Sequence, residues 1–440
     1  MPFLAMLRNL ESRVAPSTER KALRIFRSAW LLAILAALLL VGWWFEAPRH
    51  WLRTLADRAL RQYDAHDALV WIDRSGRYYP KDVGLDLLAA RANLQLNMNT
   101  VAIECLDRAQ AKGAHPEELE PYRLMAEAQR GNEVAAEKLF GQTGVGSEVY
   151  EALIRANEYG NHGNRANHIL DQMEQVGVSP LVVLYHRGRM REISEDFDGA
   201  VRFYCEAYRQ KPSSSRSAFR AGVCYYNLRD FNRSEEMFSK VQSGPYKDVF
   251  AIERANCLWE KNSFEQAART IEPILEITPA QLLTLYFQLD EFVDSDRAAL
   301  IAARIEDAQG HSERAVLLLT RVLAFNHREF DARGLLIKNL RVLGRTREAD
   351  DVTAVQSQMI ANRQRCRQLR QELDSNPGDI ARRCELAELY WYAESEAEAM
   401  LAISEILKME PECERALQLR DNIQSDRAGR RFPRSSTKRP

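Results

Sequence analysis

Neither sign of charge dominates this chain: its 440 residues carry 61 Lys and Arg against 62 Asp and Glu, a formal net charge of −1. Nucleic acid is therefore a poor partner, since phosphates demand a basic excess on the face that meets them. Metal and disulfide chemistry are equally sparse. The seven cysteines, Cys105, Cys205, Cys224, Cys257, Cys366, Cys384 and Cys413, include no Cys-x-x-Cys pair, and no His stands at ligand spacing from them. There is no glycine-rich phosphate cradle and no nucleophile elbow. His162 and His168 are too far apart along the chain for a zinc pair and fall on no common helical face, so they read as solvated turn residues. The acidic cluster Asp290, Glu291, Asp294 and Asp296 lacks the central Gly and terminal Glu of a calcium loop and reads as a solvated helix end. No catalytic, cofactor or metal site is expected, and the chain does not read as an enzyme.

Long uncharged runs are missing as well, with one exception. Residues 29–45 read AWLLAILAALLLVGWWF, 17 residues without a charge, near the lower limit for a helix crossing about 30 Å of hydrocarbon. Trp30 at one end and Trp43 and Trp44 at the other stand where indole rings favour the headgroup boundary. A single-pass anchor in the bilayer is expected. A cleaved signal peptide fits less well, because a 28-residue arm precedes the run and it leads into Trp43, Trp44, Phe45 and Glu46 rather than a small-x-small site. Arg8, Arg13, Arg20, Lys21, Arg24 and Arg27 before the run outnumber Arg49, Arg53, Arg58 and Arg61 after it. That bias predicts a cytoplasmic N-terminus and an extracytoplasmic remainder. Seven thiols in an oxidising compartment pull the other way.

What the chain does contain is a period. Gly188, Ala200 and Pro212, then Gly222 and Ser234, then Ala255, Ala267 and Pro279 recur at intervals of about 34 residues, the length of stacked helix-turn-helix hairpins. In residues 181–214, Gly188 falls where a first helix meets its partner and Ala200 at the closest approach of the second, with Tyr204 and Ala207 further along that face. Helices approach closely only where such side chains are small. Pro212 ends the hairpin because it cannot continue a helix without losing a hydrogen bond.

These residues resemble the tetratricopeptide repeat (TPR), a pattern of small, aromatic, Ala, aromatic, Ala and Pro residues in register. The next units supply Gly222, Tyr225, Ser234 and Phe238, then Ala255, Ala267, Ile271 and Pro279; near the C-terminus Ala387, Tyr390, Ala399, Ile403 and Pro411 match again. The resemblance implies an all-α, right-handed superhelical α-solenoid of helix hairpins, and the uncharged run places one transmembrane helix before it. The expected organisation is a basic arm over 1–28, the transmembrane helix over 29–45, degenerate repeats over 49–180, regular repeats over 181–281, further repeats with a capping helix over 282–425, and a disordered basic tail over 426–440. Two interruptions are expected: an extra helix or joint between Pro279 and Asp296, and one lengthened helix across 350–372 that Asn376 and Pro377 stop.

In such arrays the first helices line a concave face that holds an extended peptide. Carried onto this chain, the resemblance makes Tyr185, Arg189, Arg216, Phe219, Arg220, Tyr226, Asn256 and Trp259 candidate groove contacts. Basic residues mixed with aromatics suit a peptide with acidic and apolar side chains. The likeness to the carboxylate-clamp subclass is faint, since Tyr185 and Arg189 stand where its Lys and Asn are expected. The competing reading makes these arginines solvated and has Tyr226 and Trp259 fill the joint between repeats. The implied function is a membrane-anchored scaffold for assembly or quality control at the cell envelope, with a holdase for unfolded clients and a non-catalytic subunit of a membrane enzyme as alternatives.

Overall fold

The structure, a computed structural model, describes residues 49–140, 147–159 and 163–431. The expected arm and transmembrane helix lie outside the described residues, and no helix among the described residues is long and apolar enough to cross a membrane. Every regular element described is helical, and the chain forms two compact units, Met1–Gly160 and Asn161–Pro440.

The first unit contains α1 (49–61), α2 (Ala65–Tyr78), α3 (Val83–Gln95), α4 (Asn99–Ala111), α5 (Pro116–Gln129), α6 (Glu133–Phe140) and α7 (Ser147–Tyr159). The second contains α8 (Gly163–Gln175), α9 (Pro180–Ile193), α10 (Phe197–Gln210), α11 (Ser215–Asn227), α12 (Phe231–Phe238), α13 (Lys247–Glu260), α14 (Phe264–Ile271) and α15 (Pro279–Gln288). It continues with α16 (Arg297–Ala308), α17 (Ser312–Phe325), α18 (Phe330–Val342), α19 (Thr346–Ser375), α20 (Ile380–Leu389), α21 (Glu396–Met409) and α22 (Glu414–Arg431).

The hairpin turns have a local cause. Tyr63, Asn97 and Gly131 in the first unit, and Glu195, Arg229, Asn262, Gly310 and Gly344 in the second, take positive φ. Within each contiguous run they are spaced by about one 34-residue period. A left-handed residue reverses the chain after the first helix, and an acidic residue then restarts it: Asp196 accepts from the Gly199 N–H at 2.9 Å and Asp230 from the Arg233 N–H at 3.1 Å. Close packing within the hairpins rests on missing side chains. A Cβ on Gly188 would stand 2.7 Å from Tyr204 Cε1, and one on Gly222 2.7 Å from Phe238 Cε1.

Between Asn262 and Gly310 the period lengthens. The added residues form a 3₁₀ turn at Glu272–Ile274, the helix α15 and a non-helical segment over 289–296. α15 ends in the same manner as the first helices, with Asp290 at φ 58° and the Glu291 N–H donating to the Tyr286 carbonyl at 3.0 Å. The lengthened helix is α19, 30 residues long and closed at Asn376. Its start, through Ala349, belongs to the large core that runs from α9 onward, whereas Cys366, Leu369 and Leu373 near its end join a separate core with α20, α21 and α22. One expectation needs correction: α22 continues to Arg431 rather than giving way to a disordered tail at 426. Ala and Arg favour helix there, and the first proline is Pro433.

All seven cysteines are free, and every one except the half-buried Cys205 is buried. The Cys257 thiol meets the Ser234 hydroxyl at 3.1 Å, and a pair within sulfur contact is Cys384 and Cys413, at 3.7 Å.

Candidate functional site

Within the second unit, α9 and α11 take hold of the segment that follows α15. From α9 the Tyr185 hydroxyl donates to Asp290 Oδ2 at 2.5 Å. From α11 the Arg216 Nε donates to the Gln288 carbonyl at 2.9 Å. One turn later Arg220 Nη1 donates to the Asp290 carbonyl at 3.2 Å and pairs with the Glu291 carboxylate. Arg216 and Arg220 share a helical face because four residues bring the helix round by little more than a turn.

Glu192 of α9 holds this arrangement from behind. Its carboxylate pairs with Arg220, whose Nε donates to Oε2 at 3.1 Å, and it accepts from Tyr204 at 2.7 Å and Arg189 Nη1 at 3.2 Å. A second buried carboxylate, Glu253 of α13, pins the flanking helices: it accepts from Tyr286 of α15 at 2.6 Å and from Arg297 of α16 at 2.5 and 2.7 Å. Burial, with the Asp290 carboxylate beside it, holds the Tyr185 phenol well above its ordinary ionisation range. Burial and Glu253 do the same to Tyr286. Burial alone would lower the Arg297 guanidinium, and the Glu253 carboxylate outweighs it and raises it. All of these groups keep the protonation that their hydrogen bonds require.

The eight residues expected to meet a partner therefore have different fates. Tyr185, Arg216 and Arg220 hold the chain's own segment, and Arg189 supports Glu192. Phe219 has no exposed surface and is corrected from groove contact to core: its ring meets Phe238, Phe250 and Tyr286 at centroid distances of 5.7, 5.6 and 6.0 Å. Tyr226 is half-buried and donates to Glu260 at 2.7 Å. Trp259 lies under the Arg304 guanidinium, 5.6 Å from its ring centroid. Asn256 is buried, and its Oδ1 has no hydrogen-bond partner.

The reading of the acidic cluster as a solvated helix end also needs correction. Asp296 is 1 % exposed, accepts from the Ala299 N–H at 3.2 Å as the N-cap of α16, and pairs with Arg321 at 2.6 Å. Only Asp294 of the four stands exposed. Sequence reasoning took Glu192 as a groove position rather than a buried support, and passed over Glu253 and Arg297. Their signal was the lengthened interval after Asn262, which brings an acidic segment into a region rich in arginine. His168 is exposed on α8, with Nε2 3.2 Å from Gln172 Nε2, and His162 lies outside the described residues. No group of three or more His, Cys, Asp or Glu among the described residues could hold a metal ion.

No known family's sequence model matches this chain, and no curated protein matches it. Solved structures that it is similar to include MamA 41-end from Desulfovibrio magneticus RS-1, 13 % identical with a TM-score of 0.34 over 41 % of this chain and 94 % of that one. The human IFIT1 dimer with m7Gppp-AAAA is 12 % identical with a TM-score of 0.47, over 83 % of this chain and 80 % of that one. A tetratricopeptide repeat protein from Parabacteroides merdae ATCC 43184 is 14 % identical with a TM-score of 0.30, over 67 % and 99 %. These likenesses say nothing of a partner.

Proposed function

We propose that this chain is a membrane-anchored scaffold of tetratricopeptide type that collects or orients protein partners at one face of the cell envelope, without catalysis of its own. The observation that carries the reading is the capture of one non-helical segment by two successive first helices, through Tyr185, Arg216 and Arg220. Donors spaced along adjacent helices, meeting both backbone carbonyls and carboxylates, are what an extended peptide requires. The uncharged run at 29–45 supports the anchor, and the basic excess before it supports an extracytoplasmic array. The charged character of this face favours a scaffold over a holdase, whose clients would be met by apolar side chains.

Co-purification of the full chain in mild detergent tests the reading. One stoichiometric partner is expected. A heterogeneous client set would point to a holdase instead, and a single catalytic complex to a regulatory subunit. Protease digestion of intact spheroplasts is expected to degrade the repeats, and protection would place them in the cytoplasm.

A further inference from the structure

In the second unit the aromatic residues Tyr204 of α10 and Phe238 of α12 are buried at helix crossings. The first hairpin of the first unit is built the other way round. α2 buries Ala65, Ala68 and Ser75, with Leu69 and Ile72 packed beside them, and carries Trp71, Arg74 and Tyr78 in a separate stripe. Those three positions share one side of the helix because steps of three and four residues return to the same face. Trp51, at the start of α1, meets Trp71 edge-on with ring centroids 6.3 Å apart, and the Arg74 guanidinium lies 4.9 Å from the Trp71 ring centroid. Trp51 is 61 % exposed and Tyr78 76 %. We propose that this face lies on the surface of the bilayer, with its rings in the headgroup layer and Arg74 and Lys81 on the phosphates of anionic lipids; the assignment rests on the anchor in the reading above.

Two independent observations carry this. The first is reach. The uncharged run ends at Phe45, six residues before Trp51. A chain spans at most about 3.6 Å per residue, so Trp51 lies within about 22 Å of the end of that run. With the run as the anchor, the start of α1 is tethered beside the headgroup layer, and the contact of Trp51 with Trp71 brings the stripe of α2 to the same place.

The second is the chemistry of the face. The hairpin core is filled by Leu60, Ala68 and Leu96 with their neighbours, so Trp51 and Tyr78 remain exposed without serving it. Trp and Tyr pair an apolar ring with a polar edge, which suits the boundary between headgroups and hydrocarbon. Arg74 and Lys81 are exposed, and neither pairs with a carboxylate among the described residues. Asp73, the acid beside the stripe, is neutralised by Arg77 at 2.7 Å. Cations next to a membrane-spanning segment are attracted by anionic lipid, and a protein partner would have no such reason to sit at this end of the tether.

The test uses the full chain in vesicles of phosphatidylcholine and phosphatidylglycerol brominated close to the headgroup, where a tryptophan at that depth loses fluorescence. Replacing Trp30, Trp43 and Trp44 by Phe leaves Trp51, Trp71, Trp259 and Trp391 as emitters. This triple variant is expected to be quenched, and adding Trp51→Phe and Trp71→Phe is expected to lower the quenching about fivefold with the melting temperature unchanged. Arg74→Gln with Lys81→Gln alters no ring and is expected to weaken quenching of the triple variant about twofold in these vesicles but not in phosphatidylcholine alone. Quenching that is the same with and without Trp51 and Trp71 overturns the proposal, as does a second copy or a protein partner that shields both rings. Quenching unaffected by the charge variant overturns the assignment to anionic lipid. The chain with only Trp51 and Trp71 replaced reports on the anchor through Trp30, Trp43 and Trp44. Its quenching without quenching of the triple variant keeps the anchor and overturns this face. The reverse result keeps the face as a lipid contact and loses the anchor.

Discussion

The phenol of Tyr185 and the carboxylate of Asp290 lie 2.5 Å apart across 105 positions of sequence. This bond ties the first regular hairpin of the second unit to the segment that interrupts the repeat three hairpins later, so the expected open groove is occupied by the chain itself. Replacing Tyr185 with Phe removes the donor while leaving Asp290 near Arg216, at 3.9 Å. A stability loss of about 1.5–3 kcal/mol is expected for a hydrogen bond to a charged group. Urea denaturation measures it, and faster proteolysis within 289–296 is expected alongside; an unchanged cleavage rate would mean that Tyr185 does not hold the segment.

Arg220 meets Glu192, Glu291 and the Asp290 carbonyl. Truncation to Ala leaves Glu192 in the interior with Arg189 as its remaining cation, so the loss is expected to approach but not exceed that of a broken buried pair, about 3–5 kcal/mol. The solvent-exposed pair of Arg345 with Glu348, at 2.7 Å, is the control. Arg345→Ala is expected to leave the denaturation midpoint in place, and similar effects for the two variants would refute the buried role of Arg220.

Glycine substitutions separate close packing from helix propensity. Gly188→Ala and Gly222→Ala force a methyl group to within 2.7 Å of an aromatic carbon, and overpacking of this kind costs about 1–3 kcal/mol. Gly334 in α18 is exposed with nothing within 4 Å of its added Cβ. Gly334→Ala is expected to be neutral or to stabilise by up to about 1 kcal/mol. Chemical denaturation of the three variants should therefore give effects of opposite sign.

Thiol chemistry gives a pH prediction. Burial pushes Cys224 and Cys257 up to about 12 from an ordinary value of 9.0. The folded chain keeps these protons where the unfolded chain releases them, so their contribution is complete below pH 9 and is lost as pH rises from there toward 12. Native protein at pH 9 is expected to lose its half-buried Cys205 thiol to iodoacetamide first. All seven thiols should react after unfolding without reductant, and a count below seven would reveal a disulfide.

The hairpins were legible because their causes are local. Gly188 with Tyr204, and Gly222 with Phe238, lie within one hairpin, where helical periodicity alone brings them face to face. The interruption after Pro279 and the long helix ending at Asn376 were legible for the same reason, since apolar spacing and stop signals are read over a few turns. The fates of the candidate contacts were not. Phe219 occupies a repeat position expected to face a peptide, yet α15, which has no counterpart in the repeat, covers it with Tyr286.

The sequence by itself determined the all-helical hairpins, their period and the place where that period breaks, because turn chemistry, small residues at crossings and helix stops act between near neighbours. Only the tertiary structure decided that the acidic segment after the break lies on Tyr185, Arg216 and Arg220, and that Asn256 keeps an unsatisfied oxygen in the interior. Those outcomes depend on which distant charges share a buried space, where a carboxylate and a guanidinium stabilise each other only once folding has removed the water between them.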